Sequence, residues 1–191
     1  MPCCLVGSEM CIRDRDSPDD YLDKGVSYAV RSIDSYKDKN IFVFGGGDSA
    51  LDWTIELAKN AKTLSLVHRR DAFRGALHSE EQMRELVKSD EISLMTPYII
   101  EEIHGSDKVT GVSLKNFDTK EIEKFDADEL IFLFGLNKKL GPILEWEIDL
   151  DGKKITVNTE NFQTSKEGIF AVGDINHYPG KLDLILSGFH E

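Results

Sequence analysis

Ile41-Phe42-Val43-Phe44-Gly45-Gly46-Gly47-Asp48-Ser49-Ala50 decides how the rest of the chain is read. Four consecutive apolar residues suit a strand buried on both faces, as inside a parallel sheet. Three glycines follow, then Ala50-Leu51-Asp52-Trp53-Thr54-Ile55-Glu56-Leu57-Ala58, a run with helical character. Strand, glycine turn and helix together are the setting in which G-x-G-x-x-G/A carries a mechanism. Gly45 lets the chain turn sharply. Gly47, without a Cβ, lets a pyrophosphate approach the backbone, and Ala50, standing in for the third glycine, keeps helix and strand close. The N–H groups that open the helix, in the run Gly46-Gly47-Asp48-Ser49, and the helix dipole would then face the phosphates. Glycine-rich turns between strand and helix also arise for packing alone, so the motif needs a second signal.

The next strand supplies it. Thr63-Leu64-Ser65-Leu66-Val67 ends about 20 residues after the glycines, where a dinucleotide fold places the residue that reads the adenosine ribose. An Asp or Glu there would bond a ribose 2′-hydroxyl. This chain has His68-Arg69-Arg70 instead, with Arg74 one helical turn on. Guanidinium forks match phosphate oxygens, so the cluster points to a 2′-phosphate and hence to NADPH. The alternative is a solvated basic turn in an otherwise acidic chain.

The chain has 191 residues, room for one large domain or two small ones, and a formal charge of −12. That charge argues against nucleic acid or an anionic membrane surface as a partner. No apolar run has the length needed to span a bilayer. Residues 1–15 follow neither helical nor strand period and lack the basic start and long apolar run of a signal peptide; they read as a non-native scar. With them go Cys3, Cys4 and Cys11, the only cysteines, so no disulfide, thiolate–zinc site or iron–sulfur cluster is expected. His78, His104, His177 and His190 are scattered without metal-ligand spacing. No metal site and no catalytic acid–base residue is expected.

Asp16 to Asp38 is a polar lead-in with a short apolar piece at Val26–Val30. A helix is expected over Ala76–Lys88, with Leu77, Met83, Leu86 and Val87 near one face. Short runs at 94–96, 98–103, 109–114 and 121–125, separated by turns, read as an antiparallel meander. The apolar run Leu130–Phe134 then returns to the parallel sheet beside Ile41–Phe44 and stops at Gly135. The expected fold class is therefore α/β: a Rossmann-type three-layer domain with a small antiparallel β meander. Beyond it lie a linker at 137–142, a hairpin around Asp151-Gly152 flanked by 147–150 and 155–158, and a short strand, Ile169–Val172, ending in Gly173-Asp174. There the glycine would let a ligand approach and the carboxylate would accept from ligand hydroxyls; an ordinary turn is the plainer alternative. Leu182–Phe189 begins a helix.

Three motifs in order, Gly45–Ala50, Val67-His68-Arg69-Arg70-Asp71-Ala72-Phe73-Arg74 and Gly168-Ile169-Phe170-Ala171-Val172-Gly173-Asp174, resemble the thioredoxin-reductase-like flavoproteins over about residues 20–191. The resemblance implies FAD and NADPH as cofactors, held by two Rossmann-type domains, the nucleotide domain inserted into the flavin domain. Residues 16–136 would be the NADPH-binding domain and 137–191 the C-terminal part of a FAD-binding domain, cut short. Gly45, Gly46, Gly47, Asp48, Ser49 and Ala50 would hold the NADPH pyrophosphate. His68, Arg69, Arg70 and Arg74 would hold the 2′-phosphate. Gly173 and Asp174 would meet FAD, and Gly135 and Lys181 lie in matching cofactor-binding stretches.

Gly25-Val26-Ser27-Tyr28 is followed by Ala29-Val30-Arg31-Ser32, so alanine and serine stand where thioredoxin reductases carry their redox dithiol. Neither forms a thiolate, and a dithiol relay is closed. The dithiol-free branch is the ferredoxin–NADP⁺ reductase of thioredoxin-reductase-like type. Its signature resembles Gly47–Trp53, Phe134-Gly135-Leu136 with Leu140-Gly141-Pro142-Ile143, and Tyr178-Pro179-Gly180-Lys181-Leu182 with Ser187-Gly188-Phe189. This implies electron transfer between NADPH, FAD and ferredoxin or flavodoxin in a cytoplasmic homodimer. The chain alone is expected to be inactive and to bind FAD weakly. Another NADPH-dependent FAD reductase, such as a disulfide reductase, and a non-catalytic nucleotide-binding module are the alternatives.

Overall fold

The computed structural model describes residues 18–135 and 140–191, which fall into two compact units divided after Gly135. The expectation for residues 1–15 and that for the first part of the linker lie outside the described residues.

The N-terminal unit is built on a parallel sheet of β1 (Val26–Ser27), β2 (Asn40–Phe44), β3 (Thr63–Val67), β4 (Ser93–Met95) and β8 (Glu129–Phe132). Helix α1 (Asp48–Ala58) joins β2 to β3, and α2 (Leu77–Lys88) joins β3 to β4. Between β4 and β8 the chain makes an antiparallel meander of β5 (Tyr98–Gly105), β6 (Val109–Asn116) and β7 (Ile122–Asp126). The sheet order is β1-β8-β2-β3-β4, all parallel.

The apolar runs of β2, β3 and β8 follow from this position. Ile41, Val43, Leu64, Leu66 and Ile131 pack with Ala50, Leu51, Leu57 and Met83 of the helices. The alternate residues Phe42, Phe44, Val67, Leu130 and Phe132 pack with Ile100, Ile103, Val112 and Leu114 of the meander. A strand covered on both faces has no polar side, which is why its sequence does not alternate. The result is three layers: helices, parallel sheet, meander.

Four details differ from the sequence expectation. Val26–Ser27, expected in a lead-in segment, is the edge strand of the parallel sheet, fixed by Leu130 N–H donating to the Gly25 carbonyl at 2.7 Å. Two residues are too few to show any period. Leu94 and Met95, expected in the meander, instead pair with Leu66 and Val67; a three-residue strand shows no alternation that would assign it to either sheet. Leu77 is 79% exposed, because it opens α2 before that helix reaches the sheet. Phe134 is 54% exposed, because pairing stops at Phe132.

The C-terminal unit has its own small core of Leu140, Ile148, Ile155, Val157 and Ala171. Around it run β9 (Leu150–Asp151), β10 (Lys154–Thr156), β11 (Asn176–His177) and α3 (Ile185–His190). β9 and β10 form the hairpin around Gly152, and β11 adds parallel to β10. The first strand starts later than expected, because Glu147 adopts φ +53°, a left-handed residue that ends the preceding 3-10 turn Gly141–Trp146. The strand expected at Ile169–Val172 is reduced to one bridge between Phe170 and Gln163. Phe170 and Val172 are exposed, whereas Ala171 between them is buried in the unit's core. Among the described residues no helix is long and apolar enough to cross a membrane.

Candidate functional site

The order β1-β8-β2-β3-β4 reverses at β2: the chain proceeds from β2 through β3 to β4 on one side, while β8 arrives on the other. Open α/β sheets bind ligands at such a switch point, beyond the carboxyl ends of the strands. Gly45, Gly46 and Gly47 leave β2 there, and each is glycine for a different reason. Gly45 has φ +154°, and a Cβ on it would lie 2.5 Å from the Leu133 carbonyl oxygen and 2.8 Å from the Ala50 Cβ. Gly46 is buried, and a Cβ on it would lie 2.5 Å from the His68 ring. Gly47, the N-cap of α1, has an ordinary φ of −104°, and a Cβ there would meet nothing within 4 Å. Nothing in the described residues requires Gly47 to be glycine, and the space beside it is open.

Asp48 and Ser49 open α1 and are exposed, whereas Ala50 is fully buried against the turn. The first intrahelical donors are Ala50 and Leu51, which both bond the Gly47 carbonyl. The N–H groups of Asp48 and Ser49 precede them, in the position where helix N-termini hold phosphate. A dinucleotide pyrophosphate therefore fits these residues.

The basic loop follows β3. Its arginines differ in exposure: Arg69 is half-buried, Arg70 and Arg74 are exposed. Among the described residues neither Arg70 nor Arg74 makes an ion pair. His68 departs from the expectation of a cationic cluster. Its ring packs over Gly46 and at 5.4 Å from the Phe73 ring. Burial lowers its pKa, and the charges of Arg69, Arg70 and Arg74 push the same way against a hydrogen bond to the Ala72 backbone. His68 is therefore a neutral wall of the site at pH 7, and the arginines carry the charge. On the other side of the crevice, Gly135 is exposed with φ +84° and open space beside it.

Contacts that sequence reasoning missed tie the loop to the glycine turn. Arg74 N–H donates to the Gly46 carbonyl at 2.7 Å. Ala76 N–H donates to Asp48 Oδ1 at 2.7 Å, and Ser79 Oγ to Asp52 Oδ1 at 2.8 Å. The Asp48 and Asp52 carboxylates both reach from α1 to the next segment. Their spacing of four residues on one helix face was the available signal.

In the C-terminal unit, Gly173 has φ +78° with open space beside the position of a Cβ, and Asp174 is exposed. Behind this turn is a buried polar network. The Glu191 carboxylate accepts from Gly173 N–H at 2.6 Å, Asn176 Nδ2 at 2.8 Å and Tyr178 OH at 3.0 Å, and pairs with the Lys181 ammonium. The Lys181 and Glu191 side chains are almost fully buried, so the Lys181 ammonium is turned inward rather than held out toward a ligand. Asn176 Oδ1 is buried and without a partner among the described residues. A hydroxyl-bearing ligand fits a left-handed glycine, an exposed carboxylate and a buried acceptor left over. His177 lies 3.1 Å from Asp151 of the hairpin.

Burial alone would raise the Glu191 pKa, but Lys181 and the hydrogen bonds of Gly173, Tyr178 and Asn176 draw it down from 4.5 to about 2. A depressed carboxylate contributes stability that is complete above its unfolded pKa and is lost as pH falls toward the folded value. Circular dichroism titrated from pH 5 to pH 2 should show the wild-type protein losing stability across that window. In Glu191→Gln that pH dependence should shrink, with lower stability at neutral pH because Lys181 is left buried and unpaired. Superimposable profiles for the two proteins would refute this account of the network.

Among the described residues no group of three His, Cys, Asp or Glu side chains is placed to hold a metal. Taken together, sheet order, glycine turn and basic loop define a Rossmann-type nucleotide-binding α/β protein. The comparison with known proteins agrees: the chain belongs to the pyridine nucleotide-disulphide oxidoreductase family, whose model matches residues 12–187. It is 45% identical over 171 residues to the ferredoxin–NADP reductase of Pelagibacter ubique (strain HTCC1062), covering 90% of this chain and 50% of that protein. It is 48% identical over 168 residues to the ferredoxin–NADP reductase of Beijerinckia indica subsp. indica (strain ATCC 9039 / DSM 1715 / NCIMB 8712), covering 88% of this chain and 48% of that one. Among solved structures it is similar to thioredoxin reductase from Lactococcus lactis in its FR conformation. There the TM-score is 0.76 at 25% identity, over 93% of this chain and 59% of that one. The chain spans about half the length of the curated relatives it matches.

Proposed function

We propose that residues 16–136 are the NADPH-binding domain, and 137–191 part of the FAD-binding domain, of a ferredoxin–NADP reductase. The observation that carries this reading is Gly47: a half-buried glycine with ordinary backbone and open space, at the head of a helix, facing the switch point of a parallel sheet. Held by this turn and the basic loop, a nicotinamide cofactor would supply hydride-transfer chemistry, and the FAD held around Gly173 and Asp174 would supply one-electron chemistry toward ferredoxin or flavodoxin. The chain's own part is placement. The turn Gly45–Gly47 with the first N–H groups of α1 binds the pyrophosphate. Arg69, Arg70 and Arg74 take the 2′-phosphate, His68 closes the floor beside Gly46, and Gly135 leaves room on the far side. Gly173 and Asp174 bind the flavin's phosphate and ribityl hydroxyls, and the Glu191 network, which includes Lys181, holds that turn in shape.

Ala29 and Ser32 at the dithiol positions favour a ferredoxin or flavodoxin acceptor over a disulfide, and the names of the relatives point the same way. By the same resemblance we propose a cytoplasmic homodimer. Calorimetric titration of the protein with NADP⁺ and NAD⁺ at fixed low salt tests the reading. NADP⁺ should bind at least tenfold more tightly, and the double variant Arg69→Ala/Arg70→Ala should lose most of that preference while NAD⁺ affinity stays within about twofold. Raising the salt should erode the preference, since the arginines are wholly or partly exposed. Equal affinities in the wild-type protein would overturn the NADPH assignment.

A further inference from the structure

The arginines are on a loop, and exposed loop side chains recognise a phosphate well only if something holds the loop at the right offset. Three hydrogen bonds and one packing contact do this within six residues. Besides the bonds from Arg74 N–H to Gly46, Ala76 N–H to Asp48 and Ser79 Oγ to Asp52, Gly75 fits against α1. A Cβ on Gly75 would lie 2.5 Å from Leu51 Cδ1 and 3.3 Å from Asp48 N. We infer that Asp48 and Asp52 are positioning residues that fix the span between the glycine turn and the basic loop, and so set the preference for a 2′-phosphorylated dinucleotide. The inference rests on the dinucleotide reading above and adds to it a source of specificity outside the cations.

Charge alone makes the opposite forecast. A carboxylate on the first residue of α1 stands near the arriving phosphates, so removing it should strengthen every dinucleotide. If Asp48 instead holds the loop, removing it frees Arg69, Arg70 and Arg74 to sample other positions. Their ordering then has to be supplied at binding. Only ligands that use the arginines suffer.

The test is calorimetric titration of the whole protein with NADP⁺ and with NAD⁺ at fixed ionic strength, alongside thermal unfolding without ligand. Asp48→Ala should weaken NADP⁺ about tenfold and leave NAD⁺ within about twofold. Asp48→Asn, which keeps an acceptor for Ala76 N–H, should retain the wild-type preference. Ser79→Ala, which removes only the partner of Asp52, should shift the ratio in the same direction by about threefold. It decides the matter if Asp48→Ala does not fold. An unchanged NADP⁺/NAD⁺ ratio in Asp48→Ala, or equal weakening of both ligands, overturns the positioning role. A wild-type protein without any preference is a separate outcome, which overturns the dinucleotide reading and this inference with it.

Discussion

Gly47→Val is expected to leave the protein folded and to weaken NADP⁺ binding by about a hundredfold. The folded state has no reason to object. The backbone at Gly47 is φ −104°, ψ −178°, extended and open to a β-branched residue, and no atom lies within 4 Å of the new Cβ. Glycine is only moderately favoured at an N-cap, and a side chain there narrows the unfolded ensemble, so the two effects offset to within about 1 kcal/mol. The ligand has every reason to object. The pyrophosphate must come within hydrogen-bond distance of the Asp48 and Ser49 N–H groups, and the valine side chain fills that approach. Hydrogen bonds to charged groups contribute about 1.5–3 kcal/mol each, so losing even part of two amounts to roughly a hundredfold in affinity. Thermal unfolding and calorimetry on the same preparation separate the effects. A variant that melts like the wild type and binds NADP⁺ normally would remove the observation on which the functional reading stands.

The parallel core was legible because burial on both faces writes itself plainly. Ile41–Phe44, Leu64–Val67 and Leu130–Phe132 are apolar without a break or nearly so, and the sheet brings them side by side. The meander was legible from short runs separated by turns, with alternation at 121–125. What escaped has a common cause: information too short or too distant to leave a pattern. β1 is two residues long, and β4 is three; whether such segments pair with one sheet or another is settled by neighbours elsewhere in the chain. At the site, residue types and offsets were legible and their partners were not. His68 read as one of four cations, yet its ring lies on Gly46, and only the folded contact shows why it is neutral. Lys181 read as a residue of a cofactor stretch, yet it is sealed against Glu191. Asp48 read as part of the pyrophosphate turn, yet its carboxylate accepts from a residue 28 positions on. Side-chain commitments of this kind depend on the packing of whole elements, which no local window contains.

Gly45→Ala should have the reverse effect of the change two residues along, destabilising the N-terminal unit on the order of 3 kcal/mol or more. Two costs combine. At φ +154° an L-residue is strained by about 1–3 kcal/mol. The added methyl also meets the Leu133 carbonyl oxygen at 2.5 Å and the Ala50 Cβ at 2.8 Å. Neither can yield cheaply. Leu133 N–H donates to the Phe44 carbonyl at 2.8 Å, which fixes the end of β8 beside β2. Ala50 is fully buried in the first turn of α1. Relief requires moving either strand or helix, and overpacking of this kind costs about 1–3 kcal/mol more. For a unit of this size the sum should lower the melting temperature by roughly 10 °C. Thermal unfolding followed in the near-ultraviolet, with Trp146→Phe as background so that Trp53, which packs against the core that includes Ala50 and Leu51, supplies the tryptophan signal, reads it. A drop of only a degree or two would mean that the turn relaxes freely. The glycine run would then be a flexible connection, and a turn that relaxes freely could not hold a pyrophosphate at the head of α1.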